Sequence, residues 1–434
     1  MPDRFRILFY LHKEICHMLL TITEKNIKIV TILNEGGVLH NMKKTLILLL
    51  ALILVIGSFT ACGGAKDTGD GDAAPTEVKI GINYELTGAV ATYGEASVDG
   101  IMMAFDEINA AGGIDGMKIV PVTVDNKSDA AEATSLATRL FTQEGVVAAL
   151  GPATSGNYMA TIPVAMGNKI PIISASATAD EGVTVDANGN VNEYVFRLCF
   201  NDSFQGVTMA NFAATNLSAK SAVIIQDHSS DYAKGLAKNF KETFTAAGGT
   251  IVAEEGYVAK DKDFNAILTS IKGKAFDVIF LPGYYQEAGL IIKQARDLGI
   301  TAPVLGADGF DSPVLLELAG AAALNDVYFS NHYSSLDQDP KVQDFIAAYK
   351  EKYGAEPNAF HALGYDLGMY IADAISRAGS TDPTAIKDAL ASTTDFAGVT
   401  GTFSMGDDHN PIKSIVVVGL ENGVQTTSVK VDPK

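Results

Sequence analysis

Short apolar runs alternate with amphipathic stretches along most of the chain, and this alternation starts twice. The first series begins with the run KIGINY at 79–84, and the second begins with SAVIIQD at 221–227. Continuous apolar runs of this kind are typical of strands in parallel sheets, because helices cover both faces of such sheets. The sequence therefore predicts an α/β protein with two doubly wound, Rossmann-like lobes.

The pattern predicts individual elements in both series. The predicted strands are 79–84, 118–125, 146–150, 171–174, 221–227, 250–257, 276–283, 302–308 and 327–333. The predicted helices are 96–111, 129–143, 155–168, 232–247, 264–272 and 286–298, with a further helical region at 340–379. The closing runs GTFSM and SIVVVGLENG are too short for a third domain, so we expect them to complete the first two.

These closing elements make both predicted lobes discontinuous. We assign residues 77–201 plus 333–410 to lobe 1, and residues 202–332 plus 411–434 to lobe 2. Two lobes that are joined by several crossing segments form a hinge around a cleft. In open α/β sheets, ligands bind at the carboxyl ends of strands and at the helix N-termini that follow.

The N-terminal part of the chain contains an export signal that begins at Met42 rather than at Met1. Residues 42–61 read MKKTLILLLALILVIGSFTA: two lysines, an apolar run and then small residues. The stretch that ends at Cys62 resembles a bacterial lipobox, although Phe59 stands where leucine is usual. This resemblance implies that Cys62 becomes a lipid-modified N-terminus on the outer face of the membrane, followed by a flexible tether over 62–76.

Residues 1–41 have no physical place in front of an export signal, and we predict that they are not translated. Codons for the run EGGV at 35–38 can spell GGAGG, a bacterial ribosome-binding sequence, a few codons before Met42. Reading the DNA at this point tests the prediction.

The body of the chain is strongly acidic. The formal net charge is −19, and 25 of the 32 basic but 47 of the 51 acidic residues lie beyond residue 61. Such a surface repels phosphate backbones, so we do not expect nucleic-acid binding. Together with the predicted anchor it favours a monomer that faces outward from a membrane. Cys199 is the one cysteine after Cys62, so we expect no intrachain disulfide and a buried, apolar role for Cys199.

The stretch IISASATAD at 172–180 places Ser174, Ser176 and Thr178 directly after an apolar strand. Such a row of hydroxyl groups is either a polar turn or a hydrogen-bonding wall for a small ligand. Similar residues follow the other predicted strands; they are Tyr93, Ser155, Tyr232, Tyr284, Tyr285 and Asp308. The carboxyl end of nearly every strand therefore offers a hydroxyl, a phenol or a carboxylate.

The order and spacing of several stretches resemble the type I periplasmic solute-binding proteins of ABC importers, in the branch that binds leucine, isoleucine and valine. The resemblance covers about residues 77–425, and its stretches are ELTGAVATYGE, INAAGGIDGMKI, GPATSGNYMATIPVA, PIISASATAD, FRLCFNDSFQG, PGYYQEAGLIIKQARDLGI and GADGF. It implies a protein that binds a neutral aliphatic amino acid in the cleft, without a cofactor or metal, and delivers it to the membrane subunits of a permease.

Carried over by position, the resemblance implies how the ligand's two charges are bound. Ser155, which opens a helix, and Thr178 are expected to bind the carboxylate. The backbone carbonyl of Ser176 and the side chain of Asp308 are expected to accept hydrogen bonds from the ammonium. These residue types suit a zwitterion, because a helix N-terminus favours negative charge and a carboxylate keeps the ammonium paired when the cleft closes.

The resemblance also implies that Tyr93, Tyr232 and Tyr284 cover the ligand's aliphatic side chain. Two departures from the family pattern stand out. Some members have a disulfide where this chain has Ser128 and Thr154, so packing and hydrogen bonds must hold the loop here. Asp308 replaces a longer glutamate, so the preferred amino acid cannot be carried over.

Each of these residues also has an ordinary structural interpretation. Ser155 can be an N-cap, Ser176 and Thr178 can satisfy loop backbone, and Asp308 can belong to a turn. The tyrosines can be packing residues, which applies most to those that begin helices.

Two alternatives concern the whole chain. The first is an enzyme, which we do not expect: the four histidines after Met42 have no metal-ligand spacing, and the chain has no P-loop, GxGxxG after a strand or GxSxG motif. The second is a nutrient-sensing lipoprotein that signals through a membrane partner. A ligand other than an amino acid, such as a small carboxylate or amide, also stays open.

Overall fold

The computed structural model describes residues 76–433. Residues 1–75, which include the predicted export signal and Cys62, lie outside the described residues. Within 76–433, no helix has both the length and the apolar character that a membrane span requires.

A five-stranded parallel sheet forms the first half of the fold. Its strands are β1 (Glu77–Tyr84), β2 (Lys118–Asp125), β3 (Ala148–Leu150), β4 (Ile172–Ser174) and β5 (Val195–Arg197), in the order β2-β1-β3-β4-β5. The helices between them are α1 (Ala91–Ala110), α2 (Ala130–Arg139), which continues into a π-helical turn, and α3 (Ser155–Asn168). β1 is buried at six of its eight positions, as expected for a central strand with both faces covered.

A seven-stranded sheet forms the second half. Its strands are β6 (Ser221–Asp227), β7 (Thr250–Tyr257), β8 (Val278–Phe280), β9 (Val304–Gly306), β10 (Val327–Asn331), β14 (Ile415–Glu421) and β15 (Val424–Val431), in the order β15-β14-β10-β9-β8-β6-β7. Five strands are parallel, and β14 and β15 continue the sheet antiparallel. The helices before and between the parallel strands are α4 (Asp202–Thr215), α5 (Asp231–Ala246), α6 (Asn265–Lys272), α7 (Tyr285–Asp297) and α8 (Pro313–Ala319).

The region between β10 and β14 returns to the first sheet. It contains α9 (Pro340–Tyr353), α10 (Ala359–Ala378), α11 (Pro383–Ala391) and the short strands β11 (Phe396–Gly398), β12 (Gly401–Met405) and β13 (Pro411–Ile412). α10 packs along α1 and thereby covers the first sheet. GTFSM is β12, and it forms a separate antiparallel sheet with β11 and β13 instead of joining either large sheet.

The chain therefore passes between the two large sheets three times: after β5, after β10 and before β14. Two open α/β lobes with several crossings agree with the predicted fold class. The residue boundaries that we assigned to the lobes stay predictions.

Helix α1 begins at Ala91 rather than at the predicted residue 96. Tyr93, which lies before the predicted start of this helix, is therefore in its first turn. Gly94 allows this first turn to pack closely against Glu85, because a Cβ atom at position 94 would lie only 2.1 Å from the carbonyl oxygen of Glu85. The close approach brings α1 against the residue that follows β1.

Candidate ligand-binding site

Loops at the carboxyl ends of β3 and β4 form one side of the interlobe cleft. Ser155 is the first residue of α3, and its Oγ accepts a hydrogen bond from the backbone N–H of Ala179 at 3.1 Å. The hydroxyl hydrogen of Ser155 therefore remains available for another acceptor. Because the first N–H groups of a helix have no intrahelical partners, the start of α3 presents several donors to the cleft.

The serines after β4 use their side chains to hold this wall together. Ser174 Oγ donates to the carbonyl of Pro152 at 2.6 Å, and Ser176 Oγ donates to the carbonyl of Ala153 at 2.9 Å. The Ser176 side chain is thus committed to the loop, which agrees with the expectation that its backbone carbonyl, rather than its hydroxyl, faces a ligand.

Thr178 is the one predicted ligand-binding residue that does not line the cavity between Ser155 and Asp308. It is fully buried, and its hydroxyl has no hydrogen-bond partner within residues 76–433. A buried hydroxyl without a partner is costly. Its predicted role as a donor to a ligand stays a prediction.

Glu85 organises the same wall and is not among the residues predicted from the sequence. Its fully buried carboxylate accepts from the backbone N–H groups of Ala153 and Thr154 at 2.9 and 3.1 Å. It also accepts from Thr154 Oγ1 and Asn157 Nδ2, each at 2.8 Å. Glu85 therefore fixes the entry into α3. Its position at the carboxyl end of β1 was the signal that could have identified it.

Hydrogen bonds hold Ser128 and Thr154, the two positions at which the resemblance implies a disulfide in other proteins. Thr154 is bound by Glu85, and Ser128 Oγ donates to the carbonyl of Thr87 at 2.8 Å. These contacts are consistent with the prediction that hydrogen bonds help to hold the loop in place of a disulfide.

Asp308 lies on the opposite side of the cleft, in a 3₁₀ turn that follows β9, and is 3% exposed. Its Oδ1 accepts from the Tyr232 hydroxyl at 2.6 Å and from Gln205 Nε2 at 3.2 Å. Its Oδ2 lies 3.1 Å from His332 Nε2. Three neighbours therefore hold a carboxylate in a buried place where a ligand cation would be attracted.

His332 is the neighbour whose protonation matters most for the charge of this cluster. Burial lowers the pKa of His332, and the adjacent Asp308 carboxylate opposes that effect only in part. A neutral imidazole can donate from one nitrogen only, and a carboxylate can only accept, so the proton belongs on Nε2. The Asp308 charge is then not cancelled by His332 and stays available to a ligand.

Four aromatic rings close the cavity. Tyr93 stacks on Phe360 with ring centres 4.3 Å apart, and Tyr232 stacks on Tyr284 at 5.1 Å. Tyr93 also meets Tyr284 edge to face at 5.7 Å. Burial raises the pKa of all three tyrosines, so their hydroxyls keep their protons. Phe360, at the start of α10, had no signal in the sequence.

One cavity brings six of the seven predicted residues together. It is lined by Tyr93, Ala153, Thr154, Ser155, Ser176, Tyr232, Tyr284, Asp308, Gly309 and Phe360. Only about 10 Å³ of it is open to a water-sized sphere, about the room that one water molecule needs. An amino acid is far larger, so it can enter only if the two lobes separate.

Direct hydrogen bonds join the lobes around this cavity. The Tyr93 hydroxyl donates to the carbonyl of Gly309 at 2.5 Å, and the Tyr285 hydroxyl donates to the carbonyl of Ala89 at 3.2 Å. The Thr92 and Ser312 hydroxyls lie 3.0 Å apart. The lobes are therefore in a closed arrangement.

Larger cavities lie elsewhere and contain none of the predicted site residues. Cavities of about 570 and 470 Å³ share Ile412 and Lys413 in their walls, close to the third crossing. No group of three or more His, Cys, Asp or Glu side chains that could hold a metal ion occurs within 76–433.

Comparison with known proteins agrees with this fold. Residues 77–425 match the family model described as periplasmic binding protein. A Leu/Ile/Val-binding protein homolog of Brucella melitensis is 32% identical over 321 residues, which are 74% of this chain and 84% of the relative.

Two solved structures match most of the chain. The branched-chain amino acid transporter substrate-binding protein LivJ of Streptococcus pneumoniae, in complex with isoleucine, is 44% identical with a TM-score of 0.78 and covers 82% of this chain and 100% of its own. The leucine-binding protein LivK of Thermotoga maritima is 36% identical with a TM-score of 0.76, covering 82% and 99%. The resemblance and the fold class inferred from the sequence are confirmed: the chain belongs to the periplasmic binding protein family.

Proposed function

We propose that this protein is the substrate-binding component of an ABC importer and that it binds a branched-chain or other neutral aliphatic amino acid between its lobes. The observation that carries the proposal is the cavity in which Ser155, on one lobe, faces Asp308, on the other. Hydrogen-bond donors on one wall and a buried carboxylate on the other fit the two charges of a free amino acid. The similarity to a protein solved with isoleucine supports the same ligand class.

The aromatic cover supports an aliphatic side chain over a charged one. Tyr93, Tyr232, Tyr284 and Phe360 offer ring faces and edges. The hydroxyls of Tyr93 and Tyr232 donate to Gly309 and Asp308, respectively. A charged ligand side chain would therefore meet mainly ring surface here, because the Tyr93 and Tyr232 hydroxyls already have protein partners.

Closure couples binding to delivery. The open protein first meets the amino acid with the Ser155 wall, and Asp308 and the tyrosines then close over it, so that contacts from both lobes stabilise a ligand-bound closed form. The closed shape is what permease subunits would recognise. We further propose that the mature protein is a monomer anchored in the membrane by lipid on Cys62 and that it has no catalytic activity.

A thermal-shift screen against the common amino acids, followed by calorimetry, tests the ligand assignment. We expect Asp308→Ala to weaken binding at least about thirtyfold, because removal of one member of a buried charge pair costs about 2–5 kcal/mol. Ser155→Ala should cost less, since the backbone N–H groups at the start of α3 remain. Unchanged affinity of Asp308→Ala contradicts the ammonium assignment.

Asp344→Ala, which removes an exposed carboxylate on α9, is the matched control and should bind like the wild type. An aromatic carboxylate that lacks an amine is the second control, because a site built for a zwitterion should bind it poorly. Binding of that compound in preference to every amino acid would instead support a carboxylate-binding protein.

A further inference from the structure

Arg197 is the last residue of β5 and is fully buried, directly before the first crossing between the lobes. Its Nη1 donates to the backbone carbonyls of Ala177 and Ala179, at 3.1 and 2.7 Å. Its Nε donates to Asn410 Oδ1 at 2.5 Å. The guanidinium therefore holds two segments that are far apart in the sequence.

The first of these segments is the wall of the candidate site. Ala177 and Ala179 flank Thr178, and the N–H of Ala179 donates to Ser155 Oγ at 3.1 Å. Ala179 therefore connects the two side chains. Its carbonyl accepts from Arg197, and its N–H donates to Ser155 Oγ. With that acceptor site occupied, the Ser155 hydroxyl can donate its hydrogen to a ligand in the cavity that Ser155 lines.

The second segment leads into the third crossing. Asn410 precedes β13, and its Nδ2 donates to Asp408 Oδ2 at 2.7 Å. Because the amide nitrogen is bound to a carboxylate, the amide oxygen is the atom that faces Arg197. The same oxygen accepts from Thr184 Oγ1 at 2.9 Å. Asn410 is therefore a rigid acceptor that joins the wall loop to the segment before the hinge.

The charge of Arg197 is expensive where it lies. The side chain is fully buried, and its Nη2 has no hydrogen-bond partner within residues 76–433. A buried cation with incomplete pairing costs stability, and an apolar residue of similar volume would avoid that cost. A role in binding would explain why a cation is placed here.

We propose that Arg197 is a positioning residue for ligand binding: it orients the Ser155 hydroxyl through Ala179 and links the ligand wall to the hinge through Asn410. The proposal rests on the proposed function, because it concerns how the carboxylate of an amino acid is recognised. Arg197 does not line the cavity, so it acts through the loop rather than by contact.

The test compares Arg197→Met and Asn410→Ala with a matched control, Arg296→Met. Arg296 also binds backbone carbonyls, those of Ile300 and Ala302 at 2.8 and 2.9 Å, but it lies at the end of α7 and does not line the cavity. Each variant is measured by calorimetry with isoleucine and with isoleucinamide, which keeps the ammonium but lacks the carboxylate. Thermal unfolding without ligand reports stability separately.

We expect Arg197→Met to bind isoleucine about tenfold to a hundredfold more weakly and to lose most of its preference for isoleucine over the amide. Asn410→Ala should show the same change to a smaller degree. Arg296→Met should lose stability but keep both affinity and preference. In a Ser155→Ala background, Arg197→Met should cost much less than in the wild type, because the hydroxyl that it orients is gone.

Wild-type affinity in Arg197→Met, a preference for the acid that stays intact, or additive effects with Ser155→Ala would each overturn the positioning role. If Arg197→Met does not fold, Asn410→Ala takes its place. Its effect on binding, alone and in the Ser155→Ala background, then tests the positioning role by the same criteria. A wild-type protein that binds no amino acid overturns the proposed function itself, which distinguishes that failure from one of Arg197 alone.

Discussion

Single buried carboxylates set the geometry on both sides of the cleft. Glu85 accepts four hydrogen bonds from the entry to α3, and Asp308 receives three neighbours on the other lobe. Hydrogen bonds to ionised groups are stronger than those between neutral groups. The geometry of the site therefore depends on these two carboxylates, of which only Asp308 is expected to touch the ligand.

Glu85→Gln provides a test at this scale. A glutamine side chain turns one acceptor into a donor and brings it against the N–H group of either Ala153 or Thr154, so we expect the free energy of unfolding to fall by about 1–3 kcal/mol. Ligand affinity should fall as well, because the start of α3 moves. Urea denaturation and calorimetry measure the two effects, and Glu95→Gln, an exposed glutamate on α1, serves as the control. Full stability of Glu85→Gln would show that packing alone holds the loop.

The residues that could be predicted from the sequence are those with a local or positional signal. Ser155, Tyr232 and Asp308 follow predicted strands, so the strand-end rule and the family resemblance both identify them. Gln205 and Arg197 act through contacts with residues distant in the chain, such as Asp308 and Ala179. A contact between residues distant in the chain leaves no periodic pattern in the sequence, so it becomes visible only in the folded structure.

The same distinction applies to whole elements. Helix α3 has the predicted bounds, 155–168, because a serine opens it and Lys169 ends it in a left-handed conformation. Helix α4 was not predicted. Its buried face contains Asp202, Gln205 and Thr208 beside apolar residues, so the apolar stripe that identifies a helix is interrupted. The polar residues on that face belong to the interior between the lobes.

Helix α10 allows a prediction about pH. Its capping box pairs Asn358 with His361, whose Nδ1 accepts the Asn358 N–H at 3.0 Å. Burial lowers the pKa of His361 to about 4. Between this value and the ordinary pKa near 6.5, the unfolded chain binds a proton that the folded protein does not. His361 therefore lowers stability as the pH falls from about 6.5 to about 4, by at most about 3 kcal/mol.

His361→Gln should reduce that loss, because glutamine suits the same position of a capping box and does not titrate. The measurement is the free energy of unfolding from urea titrations across this pH range. His228→Gln, at an exposed histidine, should retain the wild-type pH dependence. An unchanged pH dependence in His361→Gln would mean that other groups cause the effect.

At the scale of the whole molecule, the closed arrangement excludes a ligand until the lobes part. The cavity has room for about one water molecule, and hydrogen bonds between the lobes surround it. Binding must therefore include an opening step, and the rate of ligand entry depends on how often that step occurs.

A disulfide between the lobes tests this directly. The Thr92 and Ser312 hydroxyls are 3.0 Å apart across the lobes, so these two positions are the ones to replace by cysteines. We expect the oxidised Thr92→Cys/Ser312→Cys protein to take up isoleucine far more slowly than the wild type and to recover after reduction. Stopped-flow measurements of tyrosine fluorescence give the rate of isoleucine uptake, with the single variants Thr92→Cys and Ser312→Cys as controls. Equal uptake by the oxidised and reduced forms would show that the ligand enters without separation of the lobes.

The antiparallel strand β14 has a consequence for biosynthesis. β14 covers β10, yet it is made from residues 415–421, almost at the carboxyl end of the described chain. A nascent polypeptide therefore exposes the edge of β10 until residues 415–421 have left the ribosome. Completion of this sheet therefore waits for the synthesis of β14, and until then the unpaired edge of β10 must be kept from pairing with other chains.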